Sequence, residues 1–348
     1  MHAPETSPGA AVAEPAVPDA LRAALARLLD GLPPRQAAQA VERLIANYRG
    51  STPTDAPVLR DRSDVAAYAA YRMPATFEAV RAALAAFRDR LPEWSPAGHT
   101  DVGGGTGAAT WAVAEAWPEG VRSTVLDWAG PALALGRELA EDSGVAELRG
   151  AEWRKQSIGH ELSLPASDLI TISYVLKELA EDARRAVVEE AARAGEAVVV
   201  VEPGTPDGYQ RIIQARERLV AAGLRVVAPC PHSAACPIEP GADWCHFAAR
   251  VARSSLHRQV KGGSLPYEDE KFSYVAAVRG PLPPEPPAAR IVRRPQLRKG
   301  QVLLNLCTPE GTLTRTTVTK RNREDYRDAR DATWGDKWPP AGLEPRRG

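Results

Sequence analysis

Cys230, Cys236, Cys245 and Cys307 are the four thiols of this 348-residue chain. Three lie in one run, Cys230-Pro-His-Ser-Ala-Ala-Cys236-Pro-Ile-Glu-Pro-Gly-Ala-Asp-Trp-Cys245-His, and the fourth stands far downstream in Leu304-Asn-Leu-Cys307-Thr-Pro-Glu-Gly. Four thiolates with none left over are the donor set of a zinc or an iron-sulfur site. The spacings, five, eight and sixty-one intervening residues, lack the paired C-x-x-C of a zinc ribbon. Proline after Cys230 and after Cys236 is a juxtaposition also found in ferredoxin runs. Both metals stay open. His232 and His246 could substitute as ligands, but are expected beside the site or on the surface. The plain alternative is reduced cysteines buried as small apolar side chains; three in a Pro/Gly-rich loop do not read as a core. If the four converge, they staple a distant C-terminal segment to the middle of the chain.

A second constellation suits a nucleoside. Asp101-Val-Gly103-Gly-Gly105-Thr-Gly107 stands between a strand and a helix, where glycine permits sharp turns and close approach of a ligand to the amides. The helix behind it adds a positive end. Asp127 ends the next strand, twenty-two residues after Gly105, where a carboxylate can bind both ribose hydroxyls. The spacing G-x-G-x-G is not the dinucleotide G-x-G-x-x-G; it resembles the S-adenosylmethionine loop of class I methyltransferases. In that family an acidic residue at the place of Asp101 orients the loop near the methionine end; bracing the loop is the plainer role. Ser173 and Tyr174, at the end of a later strand, are expected to line the crevice, with a core role open for Tyr174. The expected cofactor contacts are therefore Asp101, Gly103, Gly105, Gly107, Asp127 and Ser173. The bland alternative is a packing turn with a chance strand-end Asp.

Hydrophobic periodicity supplies the elements that must hold these residues. Residues 1–18 read as a disordered tail. Leu21, Ala24, Leu25, Leu28 and Leu29, then Ala38, Val41, Leu44 and Ile45 after Pro33-Pro34, predict a helical hairpin. Asp64 to Phe87 predicts further helices interrupted at Pro74. From about residue 97, apolar strands alternate with helices: Thr100–Val102, Ser123–Asp127, Asp168–Ser173 and Ala197–Glu202, with helices through Trp117, over Ala132–Ala140, Glu181–Ala194 and about Tyr209–Ala222. That pattern predicts a parallel sheet covered on both faces with right-handed connections. Leu224–Ala228 and Phe272–Arg279 are expected to form a reversed sheet edge, with the cysteine loop inserted between them. Beyond a linker at Pro281–Pro287, Arg290–Arg298, Gln301–Cys307 and Thr312–Lys320 read as three short strands, followed by a helix with Tyr326. The expected organisation is a tail (1–18), a helical region (19–92), a sheet domain (93–280) with a cysteine-rich insertion (229–266), and a basic extension (281–348).

Length and a hydrophobic content of 44% allow a full core. The formal net charge is zero, yet Arg290–Arg330 holds eleven Lys/Arg against four Asp/Glu. That stretch is either a solvated surface or an RNA-facing patch. No apolar run is long enough to cross a bilayer. Met1–Val17 lacks the basic start and compact apolar segment of a secretory signal, which argues for metal ligation over a disulfide framework.

The order of motifs is more specific than any one of them. Asp64-Val-Ala-Ala-Tyr-Ala-Ala-Tyr-Arg-Met-Pro-Ala-Thr-Phe, the Asp-Val-Gly-Gly-Gly-Thr-Gly loop, Ser173-Tyr-Val-Leu-Lys-Glu-Leu179, Val201-Glu-Pro-Gly-Thr-Pro206, the Cys-Pro-His run with Trp244-Cys-His-Phe, Lys271-Phe-Ser-Tyr and Trp334-Gly-Asp follow one another. This series resembles the methyltransferase-like small-ribosomal-subunit proteins of mitochondria and their bacterial relatives, the family of methyltransferase-like protein 17. The resemblance implies an α/β class I methyltransferase (Rossmann-like) sheet with a helical N-terminal region, a cysteine-rich insertion and a small β-rich C-terminal extension. It implies S-adenosylmethionine binding, a 4Fe-4S cluster on Cys230, Cys236, Cys245 and Cys307, and association with the small ribosomal subunit and its rRNA. Too little Arg and Ser at the start for a mitochondrial presequence leads to the expectation of a bacterial cytoplasmic relative, monomeric when free and away from membranes. Pro229-Cys230 is set aside as an RNA-methylating nucleophile, because it follows the sixth strand rather than the fourth.

Two functions remain. One is methyl transfer to ribosomal RNA, for which positioning supplies most of the acceleration. The Asn/Asp-Pro-Pro-Tyr motif of amino methyltransferases is absent, and Lys177 and Glu178 are the candidate proton acceptors or a surface pair. The other is an assembly factor with a retained cofactor pocket, in which Arg293, Arg294, Arg298, Lys299, Lys320, Arg321 and Arg323 approach phosphates.

Overall fold

The computed structural model describes residues 15–29, 35, 38–39, 41–42, 62–254, 256, 258, 265–283 and 287–340. Of the tail expected over 1–18, residues 1–14 lie outside the described residues, as do Pro33-Pro34, Leu44, Ile45 and the middle of the proline linker, while Val17 and Pro18 are already helical. None of the described helices is long and apolar enough to cross a membrane.

Two helices precede the sheet, α1 (Val17–Leu29) and α2 (Arg62–Arg90). Pro74 does not interrupt α2, contrary to expectation. A helix-interior proline costs roughly 3 kcal/mol. That cost is offset because Met73, Phe77, Val80, Leu84 and Phe87 are all buried on one side of the same helix, each contributing roughly 1.5–3 kcal/mol. Ala38 and Val41 pack with Ala67, Ala70 and Tyr71 of α2.

The main sheet runs β1 (Gly98–Val102), β2 (Arg122–Asp127), β3 (Glu152–Lys155), β4 (Ser167–Ser173), β5 (Gly195–Pro203), β6 (Arg225–Ala228), β7 (Phe247–Ala252) and β8 (Tyr267–Val278). The spatial order is β3-β2-β1-β4-β5-β8-β6, with β7 paired to β8. The first five strands are parallel, and β8 runs antiparallel to β5, β6 and β7. Of the reversed edge expected from Leu224–Ala228 and Phe272–Arg279, only β8 is reversed, and it lies between β5 and β6, while β6 runs with the first five strands. Intervening helices are α3 (Ala108–Ala116), α4 (Gly130–Glu141), the short α5 (Ala146–Arg149), α6 (Glu181–Ala194) and α7 (Pro206–Ala221). Strand alternation divides the apolar run of β5 between two cores. Ala197, Val199 and Val201 join α2 and α3, while Val198 and Val200 join α6 and α7.

Two strands of this sheet escaped the sequence reading. In β3 only Trp153 is buried, so this polar edge carries almost no apolar signal. In β7, Phe247, Ala249 and Val251 alternate with exposed residues, a two-residue period that was legible but overshadowed by the cysteines. The cysteine loop fills the gap along β8 between β6 and β7.

Beyond it stands a second sheet of β9 (Ala289–Ile291), β10 (Gln296–Arg298), β11 (Gln301–Cys307), β12 (Leu313–Thr319) and β13 (Lys337–Trp338), with helix α8 (Arg323–Asp331). The single strand expected over Arg290–Arg298 is thus two, β9 and β10, which pair with opposite ends of β11. Val302, Leu304 and Leu306 pack towards Ala329 of α8. Period-two alternation therefore turns Cys307 to the opposite face.

Candidate cofactor crevice and sulfur cavity

The glycine loop leaves β1 beside β2, with the amides of Gly103 and Gly104 donating to Leu126 O (2.8 and 3.1 Å). Gly103, Gly105 and Gly107 hold φ of 68°, 54° and 84°. At Gly107 the requirement is double: the conformation is left-handed, and a Cβ would lie 2.6 Å from the Trp153 ring. Asp127 closes the loop by accepting from Gly105 N (2.9 Å) and Ala129 N (2.7 Å). Each oxygen keeps a second acceptor position. Burial pushes its carboxyl upwards against those amide bonds. Trp128, 47% exposed, follows directly at the end of β2.

Asp101 lies beneath the loop, 0% exposed, and takes the bracing role. Its carboxylate accepts from Thr171 Oγ1 (2.9 Å) and Thr110 Oγ1 (3.2 Å). His99 reaches Thr171 Oγ1 through Nε2 (2.9 Å) and Ser123 Oγ through Nδ1 (3.0 Å). Burial depresses His99 to about 3, so the ring is neutral and one proton direction satisfies every group. Ser123 donates to His99, His99 to Thr171, and Thr171 to an ionised Asp101. Burial also raises Asp101 to about 6, against the bonds from Thr171 and Thr110. The sequence reading missed His99, Thr110 and Thr171, whose only signal was polarity inside otherwise apolar elements.

Ser173 ends β4 with a buried Oγ that has no partner among the described residues. Tyr174 takes φ 61° and turns back from the crevice. Its hydroxyl donates to Glu270 Oε1 (3.0 Å), and Arg72 bonds the same oxygen (3.2 Å) while standing 5.5 Å from the ring. A short turn over Leu176–Glu178 follows, with Lys177 and Glu178 exposed. Burial of the Glu178 carboxyl, with the charges of Asp127 and Glu202, raises it to about 7. Glu202 is fully buried, bound to Arg211 Nε (2.6 Å) and Leu176 N (3.1 Å). That pair, unread from sequence, ties the β4 turn to the first turns of α7. The Thr205 cap on Gly208 N (3.1 Å) and Pro206 start that helix.

All four cysteines line one cavity of about 30 Å³. Tyr209, Ile212, Ile213 and Arg216 of α7 share its wall with Tyr274 and Arg290. None of the thiols forms a disulfide. Tyr209 Oη lies 3.2 Å from Cys236 Sγ, and His232 Nε2 lies 3.3 Å from Cys307 Sγ. Arg290 donates to Pro229 O (3.0 Å) and Gly335 O (2.7 Å), binding β9 to the loop. Ser273 Oγ donates to Cys245 O (2.8 Å). Burial raises the Cys230 thiol, with Arg216 pulling the other way; it raises Cys245 well above its usual range and Cys307 to about 12. Among the described residues, no three His, Cys, Asp or Glu side chains lie close enough to hold one ion. His232 and His246 are both buried; His246 packs between Trp244 (5.5 Å) and Trp334 (4.3 Å).

The expected basic residues divide. Arg293 is consumed internally, pairing with Asp243 and standing 5.7 Å over Trp334. Arg294, Arg298, Lys299, Lys320, Arg321 and Arg323 are exposed. Lys320 N donates to Gly300 O (3.1 Å), which joins the β10–β11 turn to the β12–α8 turn. Arg298, Lys299, Lys320, Arg321 and Arg323 thus gather at the end of the small sheet opposite Cys307.

The strand order, with one reversed strand between the fifth and sixth parallel ones, and a glycine loop facing a strand-end aspartate define a class I methyltransferase fold. Residues 62–339 match the family described as Mitochondrial small ribosomal subunit Rsm22, and the chain belongs to that family. It is 30% identical over 305 residues to the human mitochondrial ribosome assembly protein METTL17, covering 80% of this chain and 64% of that protein. It is 24% identical over 189 residues to the mitochondrial ribosome assembly protein RSM22 of Saccharomyces cerevisiae, covering 36% of this chain and 30% of that one. This chain thus spans less than two thirds of either relative. Among solved structures, a SAM-dependent methyltransferase from Aquifex aeolicus is similar with a TM-score of 0.40 and 16% identity, over 63% of this chain and 98% of that one. Magnesium protoporphyrin IX methyltransferase from Synechocystis with bound SAM gives 0.39 and 14%, over 62% and 84%. Likenesses this distant place no ligand in the chain.

Proposed function

We propose that this chain is a small-ribosomal-subunit assembly protein. In this reading it takes S-adenosylmethionine in the glycine-loop crevice, holds a 4Fe-4S cluster on Cys230, Cys236, Cys245 and Cys307, and meets rRNA phosphates with the basic end of its extension. The observation that carries it is the meeting of the four cysteines around one cavity, three from the inserted loop and one from β11. The donor set fits a cluster better than zinc. Zinc accepts the same four thiolates, but the spacing of the cysteines lacks the paired C-x-x-C of a zinc ribbon. A cluster spreads four thiolates about a larger centre. When bound it supplies four metal–thiolate bonds and one-electron redox chemistry. The chain's own part is to carry Cys307 to the loop through β11 and to exclude water with Ile212, Ile213, Ile238 and Phe247.

In the crevice, the free acceptor positions of Asp127 suit ribose hydroxyls, and the loop amides suit the rest of the nucleoside. The exposed cations Arg298, Lys299, Lys320, Arg321 and Arg323 suit a phosphate backbone, which sets a salt-dependent affinity. The test is anaerobic purification followed by iron, sulfide and zinc analysis with visible and EPR spectra. About four irons and four sulfides per chain support the reading; one zinc per chain sinks it.

Methyl transfer to rRNA is the second reading, favoured by Glu178. It stands on the turn after β4, where a carboxylate can take the proton an acceptor nitrogen loses as the methyl leaves the sulfonium. The Tyr174–Glu270–Arg72 lock, which turns Tyr174 away from the crevice, favours the assembly reading. Labelled S-adenosylmethionine and immature small subunits decide between them. Incorporation lost in Asp127→Ala supports the enzyme, and cofactor binding without incorporation supports the factor.

A further inference from the structure

The sulfur cavity has one strong donor that the chain leaves unused. Arg216 is 3% exposed, and its Nε is buried without a hydrogen-bond partner among the described residues. The other side of the guanidinium is fixed, with Nη2 donating to His232 O (3.0 Å) and Ala234 O (2.6 Å). Those bonds hold the guanidinium in the cavity wall beside Cys230. A buried guanidinium is costly without a counter-charge. No Asp or Glu stands among the described residues that line the cavity, so the counter-charge must come with whatever the sulfurs hold there.

Four thiolates around an oxidised 4Fe-4S core form a dianion, and the cavity wall carries two guanidiniums, Arg216 and Arg290. We infer that Arg216 is the charge partner of the bound cluster: its Nε–H donates to a sulfur on the Cys230 side, and with Arg290 it balances the dianion. This rests on the iron-sulfur reading above. Arg216 acts here as a positioning residue, not a ligand. Tyr209 stands two turns earlier on the same face of α7, and its hydroxyl reaches Cys236. His232, held by Arg216, reaches Cys307. Donors fixed on one helix thereby address two of the four ligand sulfurs, those of Cys230 and Cys236.

The test reconstitutes the full chain anaerobically with iron and sulfide, beside Arg216→Gln and Arg216→Lys. Iron and sulfide content and the EPR spectrum report whether the wild-type chain holds a cluster. Midpoint potential and the rate of iron release to a chelator report on Arg216. Arg216→Gln is expected to release iron roughly 10–100-fold faster, as outer-shell partners of metal sites do when removed. Its potential moves negative, because the reduced cluster carries one more negative charge with one cation fewer beside it. Arg216→Lys keeps the charge but not the fork to His232 and Ala234, so it loses iron faster at a near wild-type potential. A merely structural arginine would speed iron release in both variants and leave both potentials alone. Equal potentials in cluster-loaded wild type and Arg216→Gln therefore overturn the charge-partner role and leave the cluster reading intact. Zinc alone in the wild-type chain overturns the cluster reading and this inference together. If Arg216→Gln does not fold, the equally neutral Arg216→Met takes its place: a negative shift of the potential supports the role and an unmoved potential overturns it.

Discussion

The crevice and the sulfur cavity share one sheet but are assembled in opposite ways. Around the glycine loop, His99, Asp101, Thr110, Ser123 and Asp127 come from a single β-α-β unit, with Ala129 just beyond it and Thr171 on the neighbouring strand β4. Their polar atoms satisfy one another by direct bonds, so the crevice is organised before any ligand arrives. The cavity draws on α7, the inserted loop, β8, β9 and β11. It leaves Arg216 Nε without a partner among the described residues. A locally built site should lose function by degrees when one bond is removed. A site built from distant arms should fail as a unit, because each cysteine holds a whole segment in place.

Substitution of Cys307 should break the comparison most sharply. Cys307→Ser is expected to remove nearly all iron and to expose the extension to limited proteolysis ahead of β11. S-adenosylmethionine affinity measured by calorimetry should change by no more than about 0.5 kcal/mol, as for a distant, independent site. A protease-resistant extension in the iron-free variant would contradict the idea of a metal clasp.

The next effect belongs to the crevice and depends on pH. Asp101 titrates at about 6 in the folded chain against 3.8 otherwise, so the folded state binds its proton more tightly. Ionisation therefore costs stability: the contribution is most favourable below about pH 4 and declines as pH rises through 6, by roughly 3 kcal/mol. Relative to wild type, Asp101→Asn should gain about that amount between pH 4 and pH 7 in urea unfolding. A difference that stays flat across this window would show that Asp101 titrates alike in the folded and the unfolded chain, so that its burial under the loop does not hold its proton.

Gly107→Ala sharpens the local side of the comparison. Its left-handed φ and the Trp153 ring predict a loss of roughly 1–3 kcal/mol in denaturant midpoint analysis, with iron content unchanged. The smallest effect is at the basic end. Lys299→Gln should lower the slope of log affinity against log salt for rRNA by about 1. Filter binding across a salt series measures it, and an unchanged slope would remove Lys299 from the RNA face.

How far the molecule could be read in advance follows the same division. The apolar runs of β4 and β5 and the amphipathic α6 and α7 were legible because burial on both faces leaves an unbroken local pattern. The glycine loop and Asp127 were legible because their geometry demands particular residue types at short spacing. Trp153 on β3 was not, since a polar edge strand lacks periodicity and its single buried residue shows itself only against Gly107 and Gly136. Pro74 misled, because a local rule against helix-interior proline was outweighed by burial along the rest of α2. Arg293 read as a free cation and is instead paired with Asp243 across the two halves of the chain.

The amino-acid sequence alone determined the alternation of strands and helices, the nucleoside loop and the inventory of four thiols, because each follows from nearest-neighbour chemistry along the backbone. Tertiary structure alone decided that Cys307 turns towards the loop, that Asp101 braces rather than lines the crevice, and that Arg216 ends in the cavity wall with Nε unpaired. Those outcomes depend on strand register and on which distant segments share a buried space, and long-range packing writes neither into any short window of residues.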